Sequence, residues 1–166
     1  MTDQEFAELV RAEAGKLFRV AWGILGQESD AWDALQEATL AAYRARHQLR
    51  GGPEAFPAWY RRVLINRCLN MLRSRSRVVP AAPDTLPEPD PLPGLEGHAE
   101  DLALWEAVAE LEPDKRQVVM LRYLADLSTA EVASALNIPE GTVKSRLHRA
   151  LRQLRERLGH EGRDAL

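Results

Sequence analysis

The sequence predicts an all-α protein made of two small helical domains joined by a proline-rich linker. Three observations carry that prediction. Apolar residues recur at three- and four-residue spacing through both ends of the chain, and no segment alternates with period two for long enough to form a strand. From Val79 to Gly97 the composition changes to six prolines mixed with acids and no basic residue. Charge follows the same partition. Residues 1–79 carry 12 basic and 9 acidic side chains, residues 80–114 none and 10, and residues 115–166 carry 10 and 6. The formal net charge of −3 therefore averages a basic front, an acidic middle and a basic tail. A polyanion responds to local charge within a Debye length, not to that mean.

The elements follow in order. Phe6, Leu9, Val10, Ala14, Leu17, Phe18, Ala21, Trp22 and Leu25 keep helical spacing, and Gly26 closes that helix. A second helix is predicted from Ser29 to Leu49, with Ala31, Leu35, Ala38, Ala42 and Ala45 on one side; Arg50-Gly51-Gly52-Pro53 breaks it. A third runs from Glu54 to Arg77 through Phe56, Trp59, Tyr60, Val63, Leu64, Met71 and Leu72. Trp59 reads as core beside Phe56 and Val63, and Cys68 reads as a small core residue. Residues 79–97 form the linker, because proline removes donors and turns its predecessor away from the helical region. Beyond it, one helix is expected from His98 to Leu111 and another from Pro113, a favoured first helical residue, to Ala125. Ser128-Thr129-Ala130-Glu131 is a capping box opening a short helix to Leu136. Asn137-Ile138-Pro139 is a turn in which Asn tolerates a left-handed backbone. The last helix is expected from Glu140 to Leu158, ended by Gly159.

A short helix, a tight turn and a longer helix are the proportions of a helix-turn-helix. Val143, Leu147, Ala150, Leu151 and Leu154 make the buried stripe of the last helix. Its other face bears Lys144, Arg146, Arg149, Arg152, Arg155 and Arg157, with Thr142, Ser145 and His148 near the N-terminal end. That end is where a recognition helix meets base edges, while flanking cations meet phosphates. A calmodulin-type or membrane-surface helix would share the basic face but would leave the capped first helix without a purpose.

Other classes find little support. The four histidines are scattered and Cys68 is the single cysteine, so no zinc-site spacing and no intrachain disulfide are available. No phosphate-binding glycine loop or nucleophile motif occurs. No catalytic residue, metal or cofactor is expected. The opening Met1-Thr2-Asp3-Gln4-Glu5 lacks the features of a secretory signal and no apolar run is long enough for a bilayer, so a cytoplasmic protein is expected.

The run Asn137-Ile138-Pro139-Glu140-Gly141-Thr142-Val143-Lys144-Ser145-Arg146-Leu147-His148-Arg149-Ala150 resembles the C-terminal domain of extracytoplasmic-function (ECF) sigma factors of the sigma-70 family. Leu111 to Val119 and Leu121-Arg122-Tyr123 look like the preceding helices of that domain. Response-regulator output domains of the LuxR type carry a similar helix-turn-helix, and the N-terminal half discriminates. Asp30-Ala31-Trp32-Asp33-Ala34-Leu35-Gln36-Glu37-Ala38 is similar to the family's polymerase-docking region. Phe56-Pro57-Ala58-Trp59-Tyr60, with Asn66 and Leu72-Arg73 following, resembles the region that reads and melts the −10 element. Trp32 departs from the acidic residue common there, and Tyr60-Arg61-Arg62 departs from the usual apolar residue after the Trp.

The resemblance implies a sigma region 2-like domain over residues 1–78, the acidic linker over 79–97 and a sigma region 4-like domain over 98–166. It implies core RNA polymerase contact through Asp33, Gln36 and Glu37. The loop from His47 to Pro53, with Arg50, would wall a pocket for one flipped non-template base. Asn66 and Asn70 would contact neighbouring −10 bases, with Arg61, Arg62, Arg67 and Arg73 on the backbone. At the −35 element, Lys144, Ser145, His148 and Arg149 would lie near base edges, and Thr142, Arg146 and Arg152 near phosphates. The linker is either an acidic mimic of RNA in the polymerase or a solubilising spacer. Promoter DNA, core polymerase and an anti-sigma factor are the implied partners. A stand-alone helix-turn-helix regulator and a sigma-like decoy that binds regulators are the alternatives.

Overall fold

The computed structural model describes residues 1–78 and 99–164, with side chains over 1–75 and 102–159. The expected linker lies outside the described residues. The chain divides into two compact units, Met1–Ala82 and Pro83–Leu166. All regular elements among the described residues are helical.

The first unit packs three helices. Helix α1, Asp3–Leu25, starts on a capping box between Thr2 and Glu5 and stops at Gly26, whose φ of 79° is the left-handed conformation glycine adopts freely. Helix α2 spans Glu28–Ala45. It ends short of the expected Leu49 because the chain tightens into a 3₁₀ turn over Arg46–Gln48. Arg46 Nη1 donates to the Tyr43 carbonyl at 2.7 Å, taking an acceptor that a continuing helix would have used. Gly51 (φ 100°) and Gly52 (φ 70°) then turn the chain. A second 3₁₀ turn, Pro53–Ala55, leads into α3, Phe56–Val78.

Alanines 31, 34, 38 and 42 give α2 a thin buried face on which α1 and α3 close. Trp22, Phe56, Tyr60, Leu64 and Cys68 fill the space, each at most 1% exposed. Of the expected apolar residues of α3, Phe56, Tyr60 and Leu64 are buried, whereas Trp59, expected in the core, and Val63, Met71 and Leu72 are only half-buried. A hydroxyl can be buried if it is hydrogen-bonded. Thr39 donates to the Leu35 carbonyl at 2.6 Å and so accepts from the Tyr60 hydroxyl at 2.7 Å. Burial raises the Tyr60 pKa. It also pushes the Cys68 thiol up to about 12, which keeps it protonated and unreactive.

The second unit comprises α4 (Ala99–Ala109), α5 (Pro113–Val119), α6 (Thr129–Leu136) and α7 (Glu140–Asp164). The α-helix expected through Ala125 widens into a π-helical turn at Met120–Leu124. Asp126 (φ 55°) closes it, and Leu127 N–H reaches back to the Leu121 carbonyl at 3.1 Å. Ser128 and Glu131 form the expected capping box on α6, and Asn137 sits left-handed at φ 53° as its C-cap. Helix α7 continues through Gly159 instead of ending there. A glycine inside a helix costs about 1 kcal/mol relative to alanine but does not terminate it unless the backbone turns left-handed. Val118, Leu121, Val132, Val143 and Ala150 form the core, with Arg116 buried among them at 1% exposure. Burial lowers the Arg116 pKa. An apolar hollow of about 320 Å³ stays open beside α4, the π turn and α7, with Leu104 and Tyr123 at its mouth.

Candidate nucleic-acid interface

The turn before α7 is built by local chemistry. Asn137 and Ile138 return their N–H groups to carbonyls of α6. Pro139 has no N–H to leave unsatisfied, and its carbonyl accepts from Thr142 at 3.0 Å and Val143 at 3.2 Å. Glu140 accepts from Thr129 Oγ1 at 2.9 Å, which fixes the start of α7 against the start of α6. With Val143, Leu147, Ala150 and Leu154 buried, Lys144, Ser145, His148, Arg149 and Arg152 are exposed on one side, and Thr142 and Arg146 are half-buried at its edge.

The cations of that face differ in what holds them. Lys144 lies 3.8 Å from Glu140 and Arg152 lies 3.4 Å from Glu156, both one helical turn away. Arg146 pairs at 3.5 Å with Asp114 in the first turn of α5, so it also braces α7 against that helix. Arg149 has no acid partner among the described residues. Arg157 pairs with Glu110, tying the far end of α7 to the chain after α4.

In the first unit, Arg62, Asn66, Asn70 and Arg73 are exposed at positions i, i+4, i+8 and i+11 of α3, so they share one stripe. Arg73 donates to Asn70 Oδ1 at 3.3 Å. Arg61 is exposed one step round the helix, and Arg50 is exposed on the glycine turn before it. Arg67 leaves this stripe: it faces α2 and forms an ion pair with Glu37. Arg75 does the same with Asp30 and also donates to the Leu25 carbonyl.

The candidate polymerase face is the outer side of α2. Asp33, Gln36 and Glu37 are exposed there, with Leu40 56% exposed one turn on. Trp32, 48% exposed, lies against the Phe18 ring at 4.3 Å between centroids, so this departure from the family pattern gives the face an ordered aromatic plate. Sequence reasoning missed the pairing of Glu37 with Arg67. It had assigned the two residues to different partners, and nothing in local spacing signals a contact 30 positions apart.

Two family models match this architecture in order: Sigma-70 region 2 over residues 9–78 and Sigma-70, region 4 over residues 101–154. An RNA polymerase sigma-E factor of Streptomyces antibioticus is 37% identical over 161 residues, covering 97% of this chain and 88% of that protein. The chain belongs to the ECF branch of the sigma-70 family. The ECF RNA polymerase sigma factor SigM of Mycobacterium tuberculosis is 34% identical over 157 residues, 93% of this chain and 78% of the relative. Among solved structures, the sigma factor RpoE of Bartonella quintana, crystallised with the anti-sigma factor NepR, shares the fold at a TM-score of 0.57. It is 23% identical, and the match covers 94% of this chain and 98% of that one. Region 2 of this sigma factor thus carries the α3 stripe and the α2 face, and region 4 carries the α7 face. Among the described residues no group of His, Cys, Asp and Glu could hold a metal, and no helix is long and apolar enough to cross a membrane.

Proposed function

We propose that this ECF sigma factor brings core RNA polymerase to specific promoters through three surfaces. The α2 face docks on polymerase, α3 with its preceding loop reads and opens the −10 element, and α7 reads the −35 duplex. The carrying observation is that each of the two units, matched in family order, exposes one continuous stripe of cations and hydrogen-bonding side chains. It acts by binding, without catalysis or cofactor, on DNA and polymerase in the cytoplasm, and an anti-sigma factor is its natural antagonist.

Polymerase contact falls to Asp33, Gln36 and Glu37, whose acidic and amide groups suit a basic docking surface. Opening the duplex without ATP draws on binding energy, since unstacking one base costs roughly a few kcal/mol. The loop after α2 takes up the flipped base. Asn66 and Asn70 each offer a donor and an acceptor to neighbouring bases, and Arg50, Arg61, Arg62, Arg67 and Arg73 hold the backbone. In region 4, Arg149 is the strongest candidate for base reading because no acid among the described residues competes for it, with Lys144, Ser145 and His148 beside it. Thr142 and Arg152 suit phosphates, and Arg146 can do so only by leaving Asp114.

The test is in vitro transcription with purified core polymerase on a promoter library, with permanganate footprinting of the bubble. Promoter-dependent transcripts and an open −10 region are expected, and Asn66→Ala should close the bubble without loss of core binding. Failure of the chain to associate with core polymerase at low salt would refute the reading. A gel shift with and without core distinguishes it from a stand-alone regulator, which would bind its site equally well in both.

A further inference from the structure

We propose that Asp3, Tyr43 and Arg46 form a positioning clamp that sets the shape of the base-pocket loop, and that they thereby control promoter opening without touching DNA. The inference rests on the assignment of that loop, residues 47–53, to the flipped −10 base.

The geometry converges on one oxygen. Asp3 Oδ1 accepts from the Tyr43 hydroxyl at 3.1 Å and from Arg46 Nη2 at 3.2 Å. The same guanidinium lies over the Tyr43 ring, 3.8 Å from its centroid, and its Nη1 caps the Tyr43 carbonyl. Arg46 is thus held on three sides, its side chain only 16% exposed. It is also the first residue of the 3₁₀ turn that launches the loop.

The far end of the loop is held from the same place. Phe6, one turn beyond Asp3 on α1, meets the Tyr43 ring edge-on at 5.3 Å and the Phe56 ring edge-on at 5.6 Å. Tyr43 precedes the loop and Phe56 follows it, so the first two turns of α1 grip both ends. Between those ends the backbone makes a turn that needs glycine. Gly51 and Gly52 hold positive φ, and a Cβ at Gly51 would stand 3.0 Å from Ala55 Cβ. A binding site gains when its parts are held in the receptive geometry before the ligand arrives, because ordering cost is then not charged to binding.

Asp3 is not needed to start α1. The Thr2–Glu5 capping box does that, and the Asp3 side chain is 74% exposed. An exposed carboxylate held by two distant donors contributes little to stability. Its effect falls on where Arg46 and Tyr43 stand.

The experiment uses the full chain with core polymerase. Asp3→Ala should lower open-complex formation on a duplex promoter about 3- to 10-fold, the range expected for losing a charge-assisted hydrogen-bond pair at a partly exposed site. Core affinity and transcription from a template with a premelted −10 region should stay within about twofold, because no base must then be captured from the stack. Asp3→Asn keeps an acceptor oxygen for both donors and should restore most of the opening. Unchanged opening in Asp3→Ala overturns the clamp, as does an equal loss on duplex and premelted templates. Alanine replacement of Gln48, Leu49 and Arg50 separates the two readings. If it abolishes opening while Asp3→Ala has no effect, the clamp alone fails; if it too has no effect, the pocket assignment fails with it.

Discussion

Helices α3 and α7 both carry a run of arginines, yet they dispose of the charge in different ways. On α7 two of the four acid partners among the described residues are local, Glu140 for Lys144 and Glu156 for Arg152, each one turn away on the same helix, and the other two, Asp114 for Arg146 and Glu110 for Arg157, belong to no proposed binding surface. On α3 the acid partners lie across a helix boundary, Glu37 for Arg67 and Asp30 for Arg75, and both belong to α2. Local pairs such as those on α7 stabilise a helix by a few tenths of a kcal/mol and leave its neighbours unaffected. Pairs between helices commit two surfaces at once. The second unit therefore presents a reading helix whose outside partners, Asp114 and Glu110, serve only to brace it. The first presents a proposed DNA face and a proposed polymerase face joined by the Glu37–Arg67 pair.

The largest effect that tests this contrast belongs to Arg149, which like Arg155 has no acid partner among the described residues and lies nearer the start of α7. Arg149→Ala should cost about 1 to 3 kcal/mol on a matched −35 duplex and much less on a scrambled one, because a base-reading contact discriminates. Competition binding with polymerase holoenzyme measures both. Equal losses on the two duplexes would move Arg149 to the phosphates and erase the distinction between it and its paired neighbours.

A second test asks whether the two units respond independently. Cys68 lies on the buried side of α3, and the second unit has no cysteine. Its thiol is held at about 12 in the fold against about 8.5 in an unfolded chain. A raised pKa means the unfolded state loses its proton first. The contribution is fully present below about pH 8.5 and is lost as pH rises toward 12. One pH unit above the ordinary thiol value, the cost to the first unit is about 1.4 kcal/mol. Melting followed by tryptophan fluorescence and circular dichroism from pH 8 to 10 should show the first unit weakening, with Cys68→Ala flattening the slope. A slope unchanged by that substitution assigns the loss to other groups, the buried Tyr60 phenol among them.

Smaller again is the effect at Arg152. Arg152→Ala should weaken all duplexes alike, by less than about 1 kcal/mol, and reduce the salt dependence of binding by about one counterion. Its pair with Glu156 must break for it to reach a phosphate, which offsets part of the gain. A change in sequence preference would show that Arg152 reads bases after all.

Much of this architecture was legible in the residues. The capping box at Ser128, the left-handed Asn137 and the buried stripe of Val143, Leu147, Ala150 and Leu154 are local features, each set by neighbours within a turn or two, and all appear in the fold, with Leu151 of the expected stripe half-buried at its edge. What local periodicity could not supply was rotation and partnership. Trp59 and Tyr60 are adjacent aromatics on α3, and the one that enters the core is the one whose hydroxyl meets Thr39 on another helix. The π turn at Met120 and the passage of α7 through Gly159 likewise left no mark in the spacing. The candidate site divided in the same way. The exposed stripes were readable as helical faces, whereas the bonds Glu37–Arg67, Asp114–Arg146 and Asp3–Arg46 join residues far apart in the chain.

The subtlest expected effect lies in the Glu37–Arg67 pair, where the contrast between the helices is sharpest. Both side chains are about half exposed, so the pair is worth at most about 1 kcal/mol and is screened by salt. Its consequence is a coupling: while Glu37 holds Arg67, neither is fully available to polymerase or DNA. Under the proposed assignments, polymerase that takes Glu37 would release Arg67 toward the −10 backbone, and by linkage promoter DNA that takes Arg67 would free Glu37 for polymerase. Glu37→Gln in the free chain should therefore raise DNA affinity at low salt by about twofold, and Arg67→Gln should remove that gain. The double-mutant cycle should give a coupling of about 0.5 kcal/mol in the free chain and near zero once core polymerase is bound. A coupling that persists undiminished in the holoenzyme would mean that polymerase leaves the pair intact, and α3 would then differ from α7 in wiring but not in behaviour.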